Sequence, residues 1–228
     1  DGAATLEEMV EAARARGYEY IGITDHSPSA FYAGGLSSEK VRKQHSEIDR
    51  LNAKLCGFRV LKGIESDIRS DGSLDYDADT LDLFDFVIAS VHSSFKLPEE
   101  AMTARVIRAM EDPHTTFLGH PTGRLLLARD GYAIDMDRVL RAAASLGVAV
   151  ELNANPHRLD LDWRLGPRAR ELGVKTSINP DAHSTDGMDD VDFGVACARK
   201  AGFGKEHVVN ALGTADFEEL IRKRRGKG

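Results

Sequence analysis

The chain is poor in the features that mark cross-linked, membrane-borne or nucleic-acid-coating proteins. It has two cysteines, Cys56 and Cys197. They form neither a disulfide framework nor a metal-type pair, and both are expected as buried thiols in helical patterns, in a reducing compartment. No run of eighteen apolar residues exists, so no membrane-spanning helix is expected, and no signal peptide is visible. Basic charge is also scarce: the net charge is −7, which denies the chain a broad surface for non-specific nucleic-acid binding. No Pro/Ser-rich linker, composition break or repeat divides it, so one domain over residues 1–228 is expected. The chain opens on Asp1-Gly2 without an initiator Met, which suggests a fragment of something longer. A cytoplasmic location is expected.

What remains is ordinary for a globular protein: 228 residues, 42% hydrophobic and 29% charged. That length suits one α/β barrel. Thr5 reads as an N-cap with Glu7 and Glu8 in the first turn, and that helix stops at Gly17. A strand follows and ends in Asp25-His26. A second helix spans Ser38 to about Leu55. Further strands end on Glu65, His92, His120, Glu151/Asn153 and Asp181/His183. Helices between and after them are expected at 99–110, 135–146, 163–172, 191–201, 205–212 and 217–224. The basic run Arg222-Lys223-Arg224-Arg225 reads as a solvated helix end, with nucleic-acid contact as a secondary role. Near-continuous apolar strands alternating with helices imply parallel strands buried on both faces. Six strands are countable, and the helix at Thr5 needs one before it. The reading is a distorted (β/α)7 TIM-like barrel whose first strand is missing from this chain. An open doubly wound sheet is the rival.

In such a barrel reactive groups collect at the carboxyl ends of the strands. Of eight histidines, His26, His92, His120 and His183 sit at strand ends; His45, His114, His157 and His207 read as surface. Imidazoles and carboxylates crowded on one rim would repel or desolvate one another unless a cation lay among them. Mixed His and carboxylate ligands suit two or three divalent ions of zinc, manganese or iron. Such ions activate water and neutralise phosphate oxygens, which is phosphoester hydrolysis. Metal-assisted amide hydrolysis is the chemical rival; it often uses a bridging carbamylated lysine, and no lysine ends a strand here. Arg124, with Lys96 and Arg158, is a candidate phosphate clamp. Asp25 is a candidate for orienting a ligand or transferring a proton.

The motifs TDHS, GIESDI, SVHSSF, GHPTGRLL, ELNANPHRLDL and DAHSTDG, in that order, resemble the polymerase and histidinol phosphatase (PHP) domain. The likeness is closest to the C-terminal PHP domain of bacterial family X DNA polymerases, and it covers essentially the whole chain. By resemblance, Glu65 bridges two metals, with Asp181 on the first and His92 and His120 on the second. Asp1, His26 and His183 hold the third. The family's opening His-x-His strand, which supplies two more ligands, precedes the Asp-Gly at which this chain begins. The resemblance implies manganese-dependent 3′–5′ exonuclease and 3′-end processing in DNA repair, with DNA 3′ ends as substrate and a covalently linked polymerase domain as partner. Two alternatives stand beside it. One is a stand-alone phosphatase on a small monoester such as histidinol phosphate. The other is a catalytically silent, metal-binding domain that braces a polymerase.

Overall fold

Thr5 starts the first helix as its sequence context demands. Its hydroxyl accepts the Glu8 N–H, and the Glu8 carboxylate returns to the Thr5 N–H at 2.7 Å, a reciprocal capping box. The computed structural model describes residues 2–226. Six strands follow the chain order: β1 (Tyr20–Ile23), β2 (Arg59–Asp67), β3 (Phe86–Ser90), β4 (Thr115–Leu118), β5 (Ala149–Asn153) and β6 (Thr176–Asn179). Each pairs in parallel with the next. The helices are α1 (Leu6–Ala15), α2 (Ser38–Asn52), α3 (Ala78–Leu81), α4 (Glu99–Glu111), α5 (Met136–Leu146), α6 (Gly166–Glu171), α7 (Val191–Lys200) and α8 (Thr214–Arg224). A doubly wound sheet would reverse its strand order at a switch point. The sequential order here is that of a curled, distorted barrel, with six of the seven expected strands present.

β3, β4 and β5 are buried along their whole length, as parallel strands covered on both faces must be. One core lies outside the strands, where Val87, Ala89, Leu118, Val150 and Leu152 pack with Met102, Val106 and Leu140 of α4 and α5. A second core lines the interior with Leu61, Phe86, Ile88, Phe117 and Phe217. A β-carbon on Gly22 or Gly63 would collide with the Phe86 ring, so those two glycines make room for it. A cavity of ≈ 840 Å³, lined in part by Leu61, Phe86, Phe117, Ile178 and Phe217, opens between β1 and β6 and reaches the strand ends at Glu65, His26 and Asp181. β1 and β6 do not pair with one another. The Asn210 amide instead takes up the Ile178 N–H and C=O on the outer edge of β6.

Several expectations need correction. Residues 163–172 form a 3-10 turn and then α6, because Gly166-Pro167 restarts the helix. Residues 205–212 form two short 3-10 turns around the extended Val208, not one helix. Cys56 lies past the end of α2 and is exposed, and Cys197 is half-buried. His45 is buried against Phe84 rather than on the surface. The basic run is not simply solvated. Arg224 donates to the carbonyls of Met110 and Asp112, and the buried Arg225 donates to those of Leu81 and Phe84 and to Asp82. These guanidiniums tie α8 to the carbonyl ends of α3 and α4, where positive charge is favoured. Among the described residues no helix is long and apolar enough to cross a membrane.

Candidate metal centre

β2 brings Glu65 to the middle of the rim. Beyond β1 the chain stays beside β2: Glu65 N–H donates to the Asp25 carbonyl and Ser27 N–H to the Glu65 carbonyl. That register sets His26 against Glu65, with Nδ1 3.3 Å from Oε2. His92, two residues past β3, places Nε2 3.4 Å from Glu65 Oε1. His120, two residues past β4, places Nε2 3.0 Å from the same oxygen. His92 Nε2 and His120 Nε2 are 3.1 Å apart. His120 holds this place with φ of 21°, a conformation an L-residue adopts only when its surroundings fix it.

The second half of the rim comes from β5 and β6. Asp181 also has a positive φ, 54°. Its carboxylate accepts the Asn153 amide at 3.1 Å and lies 3.7 Å from Arg158 Nε. His183 Nδ1 sits 2.9 Å from the Asp181 carbonyl, and its ring centroid is 6.5 Å from that of His26. Glu65, His26, His92 and His120 therefore gather in one cluster, and Asp181 and His183 flank it. Asp1, the remaining expected ligand, lies outside the described residues.

Two buried carboxylates support the cluster: Asp67, which the strand-end pattern did not name, and Glu151, which it named at a strand end without a role. Asp67 takes the far ring nitrogen of His92 at 2.6 Å, which fixes ring orientation and leaves Nε2 aimed at the cluster. The i, i+2 spacing of Glu65 and Asp67 on one strand face was the available signal. Glu151 accepts the His120 N–H at 2.7 Å and the Asn179 amide at 2.8 Å. Burial pushes the Glu151 carboxyl up to about 7, against the opposing pull of His120.

Charge in the cluster is arranged around Glu65. Burial opposes its ionisation, but hydrogen bonds from His120 and His92 hold it well below the usual carboxylate range. Burial likewise opposes a charge on His92, yet Asp67 and Glu65 raise it to about 10. Burial pushes His26 down. The rim is thus an anionic socket that holds positive charge against desolvation. Two imidazole nitrogens facing each other at 3.1 Å cannot both donate to one another. A divalent cation accepting lone pairs from both, and from Glu65, satisfies them together, and the mixed nitrogen and oxygen donors suit zinc, manganese or iron. The residues present fit such an ion.

The candidate substrate residues fare differently. Arg124 is corrected: its guanidinium donates to the carbonyls of Arg158 and Leu159 and to Asp162. It brackets the loop after β5 and is not placed as a phosphate clamp. That bracket holds Arg158, which does reach the rim and whose buried Nη1 has no hydrogen-bond partner. Lys96 is exposed on the loop after His92. Asp25 accepts the Gln44 amide at 2.6 Å, and among the described residues no hydrogen bond joins its carboxylate to a cluster histidine.

Residues 1–155 match the family model described as PHP domain. The chain is 45% identical over 223 residues to the DNA polymerase/3′-5′ exonuclease PolX of Bacillus subtilis; the match takes in 98% of this chain and 39% of that protein. It is 34% identical over 232 residues to a probable phosphatase of Caldicellulosiruptor saccharolyticus, covering 96% of this chain and 89% of the relative. Among solved structures, histidinol phosphate phosphatase of Lactococcus lactis, complexed with Zn, L-histidinol and phosphate, aligns with a TM-score of 0.64 at 21% identity, over 90% of each chain.

Proposed function

The chain belongs to the PHP domain family, and from that premise we infer a metal-dependent phosphoesterase that removes nucleotides from the 3′ end of a nucleic acid. The observation that carries this reading is Glu65 set among three imidazoles at the mouth of the barrel. His26, His92, His120, Asp181 and His183, with Asp1, are the proposed ligands beside Glu65. Divalent ions bound there would supply a water acidic enough to attack phosphorus near neutral pH and positive charge for the phosphate oxygens. The chain's own groups supply the rest. Asp67 holds the His92 ring in one tautomer and orientation. Asn153 fixes the Asp181 carboxylate. Arg158, whose carbonyl accepts from Arg124 and whose Nε lies 3.7 Å from the Asp181 carboxylate, is the proposed binder of the scissile phosphate.

The Bacillus subtilis relative favours the 3′ end of DNA as substrate and a covalently linked polymerase domain as partner. Full-length likeness to a probable phosphatase favours a second reading, hydrolysis of a small phosphate monoester. Oligonucleotides labelled at the 3′ or the 5′ end, assayed beside histidinol phosphate with manganese supplied, separate the two. The exonuclease reading expects early release of the 3′ label as mononucleotide and stepwise shortening of the 5′-labelled strand. Turnover of histidinol phosphate with both oligonucleotides intact would overturn it.

A further inference from the structure

The loop between β1 and α2 carries two large aromatic side chains in water at the edge of the metal centre. Phe31 is 84% exposed and Tyr32 is 66% exposed. The Tyr32 ring lies 6.4 Å from the ring of His26, and Phe31 stands edge-on to Tyr32 at 6.2 Å. This exposure does not come from a loose loop. Ala33 N–H bonds to the Ala30 carbonyl and Gly35 N–H to that of Ala30, while Leu36 N–H returns to the His26 carbonyl. Ser29 is clamped through its N–H and hydroxyl by the Asp75 carboxylate, at 2.6 and 2.5 Å. Tyr76 donates to the Leu36 carbonyl at 2.6 Å. Ala30 is fully buried, and a β-carbon at Gly35 would collide with the Ser27 carbonyl. The turn is fixed from below and presents its rings upward.

The surroundings of these rings are mixed in charge. Burial, with Asp67 and Glu65 adding to it, raises the Tyr32 phenol, while Arg158 and Arg129 pull it down. The phenol thus feels both the negative charge of the cluster and the positive charge of two guanidiniums. Arg129 is itself stacked over Phe95, with 4.4 Å to the ring centroid, so its charge is held in place. Flat apolar faces beside cations are what a nucleotide needs: a surface for the base and counter-charge for the phosphate.

We propose that Phe31 and Tyr32 form a stacking platform for the terminal base of a single-stranded nucleic acid whose 3′ phosphodiester enters the metal centre. The proposal rests on the phosphoesterase reading above and deepens it by naming what selects the substrate. Because the loop is already ordered, stacking loses little conformational freedom, and selection acts on any base, since each has a π face.

The test is the affinity of the protein, with manganese supplied, for two short single strands whose last linkage is a non-hydrolysable methylenephosphonate. One ends in 2-aminopurine and the other in an abasic sugar. The wild type is expected to prefer the base-bearing strand roughly tenfold to a hundredfold, with quenching of the 2-aminopurine fluorescence. Phe31→Ala and Tyr32→Ala should each bring that preference close to one and relieve the quenching. Tyr32→Trp should retain both. A wild type with equal affinity for the two strands, or alanine variants that keep the preference, would overturn the proposal. A separate assay of phosphodiester cleavage by the wild type reports on the hydrolytic reading: base preference without cleavage removes that reading and leaves the platform in place.

Discussion

His92 and His120, from adjacent strands, point their Nε2 atoms at each other across 3.1 Å, and Glu65 Oε1 lies within 3.4 Å of both. Parallel pairing dictates the contact. β2, β3 and β4 lie side by side in parallel, with a register shift between β3 and β4, and each carries its polar residue near the same end. The centre is therefore a property of strand order before it is a property of any one side chain.

Removing the shared carboxylate or one of the facing imidazoles should disable that centre. Glu65→Ala and His92→Ala are expected to lower manganese-dependent hydrolysis of a phosphodiester on the order of 10³-fold, since ion-assisted water activation and charge neutralisation together supply several kcal/mol. Far-ultraviolet circular dichroism should show the barrel retained. Hydrolysis equal to wild type in both variants would refute the assignment.

Asp67 acts on the centre only through His92. Asp67→Asn keeps the shape but removes the charge that orients the ring. It should weaken manganese affinity or activity by roughly ten- to a hundredfold. A titration of activity against manganese concentration reads this directly, and an unchanged midpoint and unchanged activity would remove Asp67 from the account.

His45 provides a pH dependence remote from the metal centre. It is 7% exposed, packed edge-on to Phe84, and its Nε2 is buried without a hydrogen-bond partner. Burial lowers it from 6.5 to about 4, helped by Lys62 and Arg42 and opposed by Asp85 and Asp49. The folded state thus binds a proton less readily than the unfolded chain. This contribution is complete above about pH 6.5 and is lost progressively as pH falls toward 4, reaching about 3 kcal/mol. Urea midpoints across that range should fall less steeply for His45→Phe than for the wild type. Parallel slopes would contradict the assignment.

The C-terminal guanidiniums are structural. Arg225→Ala strips donors from the Leu81 and Phe84 carbonyls. It should cost about 1–3 kcal/mol in chemical denaturation, with affinity for single-stranded DNA unchanged at constant salt. Loss of DNA affinity without loss of stability would restore the nucleic-acid role expected of a basic tail.

The sequence was most legible where chemistry and strand ends coincide. His26, Glu65, His92 and His120 stand at or just past the ends of apolar runs, and parallel pairing sets the three imidazoles around Glu65. Asp67 was hidden because it lies two residues beyond Glu65, on which that strand was expected to end, and just before the turn-rich RSDG. His45 was misread because α2 is rich in charge, and its inward face is told only by Val41 and Ile48, at i−4 and i+3. Arg124 and Arg225 carry the residue type of an anion binder, and only tertiary structure shows that backbone carbonyls occupy them. The separate 3-10 turns at 205–211 depend on Asn210 reaching the edge of β6, a contact with no local signature.

Manganese uptake measured by calorimetry, for the wild type beside Glu65→Ala, tests the central claim most directly, because it asks whether this constellation holds cations at all. Saturable binding by the wild type, with a raised melting temperature that Glu65→Ala loses, is the predicted result. Two proteins that bind manganese equally, or not at all, would contradict it.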